Sequence, residues 1–205
     1  MSLHSLSSEV EKAEYWLSKA DPVLGAIIQS SPTFDLRPFS KQPFEALLHA
    51  IIAQQLSVKA AAAIQQRVHA LTQGNVTPEA FVHVAQQDFK KAGMSQAKIN
   101  TLQQLIEFTQ TEKTTFDQLQ QQSDQQVKKT LCQLKGIGPW TVDIFLMFGL
   151  KRLDIFASGD LGLRKAVQSI KGLKTLPSAT ECEKIAIQWQ PYRTIASWYL
   201  WRTLG

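Results

Sequence analysis

Leu131–Val167 reads LCQLKGIGPWTVDIFLMFGLKRLDIFASGDLGLRKAV, and this stretch decides the fold. Gly136 and Gly138 stand between two amphipathic segments, and Pro139 opens the second. Gly-Ile-Gly makes a tight turn without side-chain bulk, where a Cβ at Gly138 is expected to find little room. Proline is well placed in the first turn of a helix. The N–H groups of such a turn, with the N-terminus of the helix beginning at Pro139, can approach an anion closely. Lys135 adds a cation. The spacing therefore predicts a helical hairpin over about 126–149 that holds a phosphate without reading base sequence. The alternative is a plain turn between packed helices.

Working outward, apolar residues recur at three- and four-residue spacing almost throughout. Helices are expected at 9–18, 43–55, 58–71, 78–85, from Ser95 to about 108, 123–134, 139–148, 160–170, 178–189 and 191–203. Val10, Ala13, Trp16 and Leu17 share one face of the first. Ser57, Ser95 and Ser123 stand at N-cap positions. Leu153–Ala157 is too short to build a sheet, so the expected fold is all-α. Residues 1–205 read as one domain of two helical lobes. The Gln-rich stretch 118–126 is either the crossing between lobes or a polar helix end within one of them.

A chain of 205 residues can bury a core without disulfides or metals. No run reaches the ~18 apolar residues of a membrane span, and residues 1–9 lack the basic start and apolar run of a secretory signal. Cys132 and Cys182 are too few for a disulfide framework or a four-Cys cluster, so an intracellular setting is expected. The net charge is +5, unevenly spread: residues 1–127 carry −2 and residues 128–205 carry +7. A polyanion such as nucleic acid is the natural partner for the basic end.

LKGIGPWT followed by the lone acidic residue of FASGDLGLRKA resembles the helix–hairpin–helix–Gly/Pro–Asp DNA glycosylases, above all the DNA-3-methyladenine glycosylase II type. FEALL at 44–48 leading to IIAQQLS at 51–57, Gly93-Met94-Ser95 with Lys98, and Pro191-Tyr192-Arg193 with Trp201 are similar to further motifs of that family. The ordered matches span about 43–203 and resemble the compact form without an N-terminal β domain. The resemblance implies a two-lobed helical fold with a helix–hairpin–helix, acting on double-stranded DNA. The reaction implied is excision of alkylated purines (3-methyladenine, 7-methylguanine) by base flipping, which initiates base excision repair.

Residue by residue, the resemblance makes Asp160 the catalytic carboxylate, against its plain reading as a helix N-cap. Asp143 and Asp154 read as surface residues. Trp140 and Trp201 match aromatic pocket positions, whose faces attract a cationic base by ~0.5–2 kcal/mol. Trp16, Trp189 and Trp198 are left to packing. Gln55 and Leu56 match the wedge turn, although Leu56 could equally be core. Lys135, Gly136, Gly138, Arg164 and Lys165 are the expected phosphate contacts. Trp140 stands where lyase-active relatives carry a Schiff-base lysine, so hydrolysis without strand cleavage is expected. His4, His49, His69 and His83 form no ligand pattern with the cysteines, so no catalytic metal or other cofactor is expected. A monovalent cation on the main-chain carbonyls of Cys132, Leu134 and Gly136 is the one ion the resemblance suggests. A monomer is expected, in the cytoplasm of a bacterium or the nucleus of a eukaryote. The competing reading is a non-catalytic helix–hairpin–helix DNA-binding protein, which would need neither Asp160 nor an aromatic pocket.

Overall fold

The computed structural model describes residues 3–35, 42–111 and 116–204. In chain order the helices are α1 (Leu3–Ala20), α2 (Pro22–Ser30), α3 (Pro43–Ala53), α4 (Val58–Ala70), α5 (Pro78–Phe81), α6 (Gln86–Ala92) and α7 (Gln96–Thr111). They continue as α8 (Phe116–Gln121), α9 (Asp124–Leu131), α10 (Pro139–Phe148), α11 (Leu161–Ile170), α12 (Ala179–Ala186) and α13 (Arg193–Arg202), with a 3-10 turn at Ile187–Trp189. No strand occurs among the described residues. The all-α expectation holds, with three helices more than the apolar spacing suggested.

Those three are α2, α6 and α8. α2 follows an unused signal: Asp21 accepts a hydrogen bond from the Leu24 N–H at 3.4 Å and Pro22 sits in the first turn. α6 and α8 are seven and six residues long, too short to show a helical period.

The chain divides into two compact units, Met1–Pro38 with Lys151–Gly205, and Phe39–Leu150. The Gln-rich stretch 118–126 is no crossing between them; it lies wholly inside the second unit. Leu119 is buried, the Gln120 amide donates to the Leu150 carbonyl at 3.3 Å, and Ser123 with Gln126 forms a capping box on α9.

In the first unit α1 packs on α2, and α13 on α1, α2 and α11. Its core holds Leu17, Leu24, Trp189, Ile195, Tyr199 and Leu200. Asp21, only 2% exposed, pins the unit together. It caps α2, pairs with Lys171 at 2.8 Å and accepts the Trp189 indole N–H at 2.9 Å. Trp16, expected to pack, is 50% exposed and donates its indole N–H to the Gln190 carbonyl instead. In the second unit α3 packs on α4, α7 and α10. Leu47, Leu48, Ile51 and Ile52 of α3 are all fully buried.

Candidate active site

The hairpin is α9, a turn over 132–138, and α10. Gly136 has φ +94°, a region that favours glycine, and a Cβ there would lie 2.0 Å from the Thr101 hydroxyl oxygen. The turn is pressed onto α7: Thr101 donates to the Lys135 carbonyl at 3.1 Å, and the Lys135 N–H donates to Gln104 Oε1 at 3.3 Å. Ile137 is buried beneath it and the Lys135 side chain faces solvent.

Gly138 corrects the sequence reading. It is the N-cap of α10 without a side-chain cap, its φ is an ordinary −103°, and nothing lies within 4 Å of a Cβ placed on it. Room is not short on the protein's side. The missing side chain instead leaves the head of α10 open to an approaching anion.

The turn between α3 and α4 is tied to this hairpin by Gln54, which the sequence reading passed over. Its amide donates to the Gly136 carbonyl and to Thr141 Oγ1, each at 2.9 Å. The Lys98 ammonium donates to the carbonyls of Ile52 and Gln54 at 2.7 and 2.9 Å, closing the C-terminus of α3. Burial pushes the Lys98 ammonium below its usual pKa. Beyond Gln54 the chain turns outward: Gln55 has φ +56° and is exposed, and Leu56 is 39% exposed. The core reading of Leu56 is thereby removed. Ser57 then caps α4 by accepting the Ala60 N–H.

Asp160 belongs to the other unit. It is the N-cap of α11, so the plain reading of the residue is correct as far as it goes. Its Oδ1 accepts two hydrogen bonds, from the Leu163 N–H at 2.8 Å and from the Trp201 indole N–H at 3.0 Å. The expected catalytic carboxylate and an expected pocket tryptophan thus meet. Gly162 permits this closeness, since a Cβ there would lie 2.9 Å from Asp160 Oδ1 and 3.4 Å from the Trp201 ring. The preceding loop is fixed to α13 by the Thr194 hydroxyl, which donates to the Arg152 carbonyl at 2.6 Å.

The rival carboxylates are not loose surface groups. Asp154 accepts from Arg193 Nε at 2.7 Å and from its Nη2 at 3.0 Å. Asp143 is 5% exposed and pairs with Lys128 at 2.6 Å, joining α9 to α10. The surface expectation fails for Asp143, which local polarity misjudges and which is turned inward to Lys128 of the neighbouring helix, whereas Asp154 keeps 34% of its side chain exposed while paired with Arg193. Arg164 is half-buried and gives its Nε–H to the Pro177 carbonyl at 2.8 Å, while Lys165 is exposed. Trp140 is half-buried at the second position of α10. Of the carbonyls at the hairpin, Leu134 accepts the Ile137 N–H at 3.0 Å and Gly136 accepts the Gln54 amide. A carbonyl oxygen has a second lone pair, so neither bond bars a cation. Cys132 is exposed and Cys182 buried, and burial pushes both thiols above their usual pKa.

The chain is similar to several known proteins. The DNA-3-methyladenine glycosylase 1 of Schizosaccharomyces pombe is 33% identical over 166 residues, 80% of this chain and 73% of that protein. The alkylbase DNA glycosidase-like protein mag2 of the same yeast is 27% identical over 97% of this chain and 95% of its own. Among solved structures, the S. pombe 3-methyladenine DNA glycosylase (Mag1) in complex with abasic DNA superposes with a TM-score of 0.87 at 31% identity, covering 94% of this chain and 96% of that one. The DNA-3-methyladenine glycosidase of Bacillus halodurans gives 0.75 at 33% identity, covering 92% and 87%. Residues 48–191, which include Gln55, Leu56, the hairpin and Asp160, match the family model for base excision DNA repair proteins, and the chain belongs to the HhH-GPD superfamily.

Proposed function

We propose that this protein is a monofunctional DNA N-glycosylase that releases alkylated purines such as 3-methyladenine and 7-methylguanine from duplex DNA, beginning base excision repair. The observation that carries the reading is the Asp160 carboxylate, held at the head of α11 by the Leu163 and Trp201 N–H groups. A base can be cut only once it has left the stack. Leu56 and Gln55, projecting from the turn braced by Gln54 and Lys98, fill the gap. Gly136, Gly138 and Lys135 hold the backbone by a phosphate, and exposed Lys165 adds charge. Arg164, already engaged with Pro177, supports its loop as well as the basic field. The faces of Trp140 and Trp201 receive the cationic base.

The alkylated purine already carries positive charge, so it leaves neutral when the N-glycosidic electron pair moves onto its ring, and no acid is needed. Positive charge then develops at the sugar C1′. The Asp160 carboxylate stabilises that charge and orients a water, whose oxygen bonds to C1′ while its proton passes to the carboxylate or solvent. The product is a free base and an abasic site. Trp140 offers no amine for a Schiff base, so the strand stays intact and borohydride traps no enzyme–DNA adduct. A trapped adduct would assign Lys135 a nucleophilic role. A monovalent cation at the carbonyls of Cys132, Leu134 and Gly136 would stiffen the turn, and no other cofactor enters the chemistry. The protein acts as a monomer inside the cell; among the described residues no helix is long and apolar enough to cross a membrane.

The test is chromatography of free bases after incubation with N-methylated duplex DNA. Release of methylated purines with the strand unbroken until alkali treatment supports the reading. Duplex binding without base release would leave only a DNA-binding module.

A further inference from the structure

The helix pair that carries the wedge turn holds a second cluster, not used in the chemistry above. Glu45 and His49 lie one turn apart on α3, and His69 faces them from α4. The two Nε2 atoms are 2.8 Å apart, and each is 3.9 Å from Glu45 Oε1. The imidazole planes differ by 17°. All three side chains are partly buried. Among the described residues this is the one group of three or more such side chains close enough to hold a single ion.

We propose that Glu45, His49 and His69 form a divalent transition-metal site, best suited to zinc, that ties α3 to α4 behind the turn bearing Gln55 and Leu56. An isosceles triangle with a 2.8 Å base and 3.9 Å sides has its centre about 2.1 Å from each corner. That matches the ~2.0–2.2 Å of zinc–nitrogen and zinc–carboxylate bonds. Two imidazoles and one carboxylate favour zinc over magnesium or calcium, which prefer all-oxygen shells. Burial pushes the His49 imidazole down to about 4, the neighbouring His69 adding to the fall and Glu45 opposing it.

Without metal, one Nε2–H donates to the other Nε2. An ion needs both lone pairs, so the donor ring moves its proton to Nδ1 and no proton is released. The rings turn and open the nitrogen pair to about 3.3 Å, the spacing of tetrahedral ligands at zinc bond length. Water takes the fourth position.

The test uses the full chain stripped by chelator and titrated with zinc against a chromophoric competitor. We expect one equivalent bound, and a Tm rise of about 5–10 °C at hundredfold excess over Kd. His69→Gln and Glu45→Gln should each weaken binding at least ~10-fold, and the His49→Gln/His69→Gln double variant should abolish it. Cobalt in the wild-type protein should give tetrahedral visible bands without thiolate charge transfer, a readout independent of whether the variants fold. No uptake by the wild type, unchanged binding by the double variant, or a thiolate band pointing to Cys132 would each overturn the site.

Discussion

Asp160 joins a structural role, the N-cap of α11, to the chemical role proposed for it. As an N-cap it needs only one oxygen on a backbone N–H; the Trp201 indole adds a second donor to the same Oδ1 and sets the plane of the carboxylate. In the proposed reaction Trp201 is thus a positioning residue as well as a wall for the base. Trp201→Phe keeps an aromatic face and removes the N–H, so single-turnover base release should fall about 10-fold while duplex affinity stays near wild type. Equal losses in affinity and release would assign Trp201 to binding alone. Leu56 makes the opposite case, a large apolar side chain 39% exposed beside an outward-turned Gln55. Leu56→Ala should change stability by less than about 1 kcal/mol, since little core is lost. Release should drop for a paired lesion and much less for one in an unpaired bulge, where the gap needs less filling. A melting shift of several kcal/mol would return Leu56 to the core.

At the scale of elements, the hairpin turn separates two glycines that look alike in sequence. Gly136 is fixed by its +94° φ and by Thr101, so Gly136→Ala should cost about 2 kcal/mol or more of stability. Gly138 has space for a Cβ, so Gly138→Ala should melt close to wild type yet bind damaged and undamaged duplex alike more weakly. Denaturant melts and duplex titrations of both variants check the pair, and a Gly138→Ala protein that binds normally would remove the phosphate role. The sequence identified the turn but could not rank its glycines, because φ and the presence of Thr101 are tertiary facts. The bracing roles of Gln54 and of Lys98, the latter noted only as part of a family motif, escaped for the same reason: their partners lie 82 and 46 residues away along the chain. Apolar period showed the long helices and Ser57 and Ser123 their starts, whereas α6 and α8 hold too few residues for a period. Histidines weighed only against cysteines concealed Glu45, His49 and His69, which meet only when α3 and α4 pack.

At the scale of the molecule, charge and packing give further measurable behaviour. Asp21 is held below its ordinary value of 3.8: burial alone would raise it, and the hydrogen bonds from Lys171, Trp189 and the Leu24 N–H together outweigh that effect. A carboxylate depressed on folding contributes stability that is present above 3.8 and lost as pH falls through its folded value. Asp21→Asn, which breaks a buried ion pair, should cost about 3 kcal/mol at neutral pH, with the gap from wild type narrowing as pH falls below 3.8. A gap constant with pH would show that the charge contributes nothing. The +7 carried by residues 128–205 should make duplex binding independent of sequence and weaker with salt, and Lys165→Ala should lower the salt slope by ~1 if it meets a phosphate. The concentration of basic charge was legible from sequence, and its division was not, since Lys128, Lys171 and Arg193 are spent on Asp143, Asp21 and Asp154. The proposed chemistry depends on one carboxylate, that of Asp160. Asn caps a helix as well as Asp and can accept the same N–H groups, so Asp160→Asn changes charge and little else. The decisive measurement is single-turnover release of methylated purines from duplex DNA by wild type and Asp160→Asn, with melting and duplex binding recorded on the same samples. A fall of ~100-fold or more in release, with both controls near wild type, is the predicted result; Asp160→Asn releasing bases at the wild-type rate would contradict it.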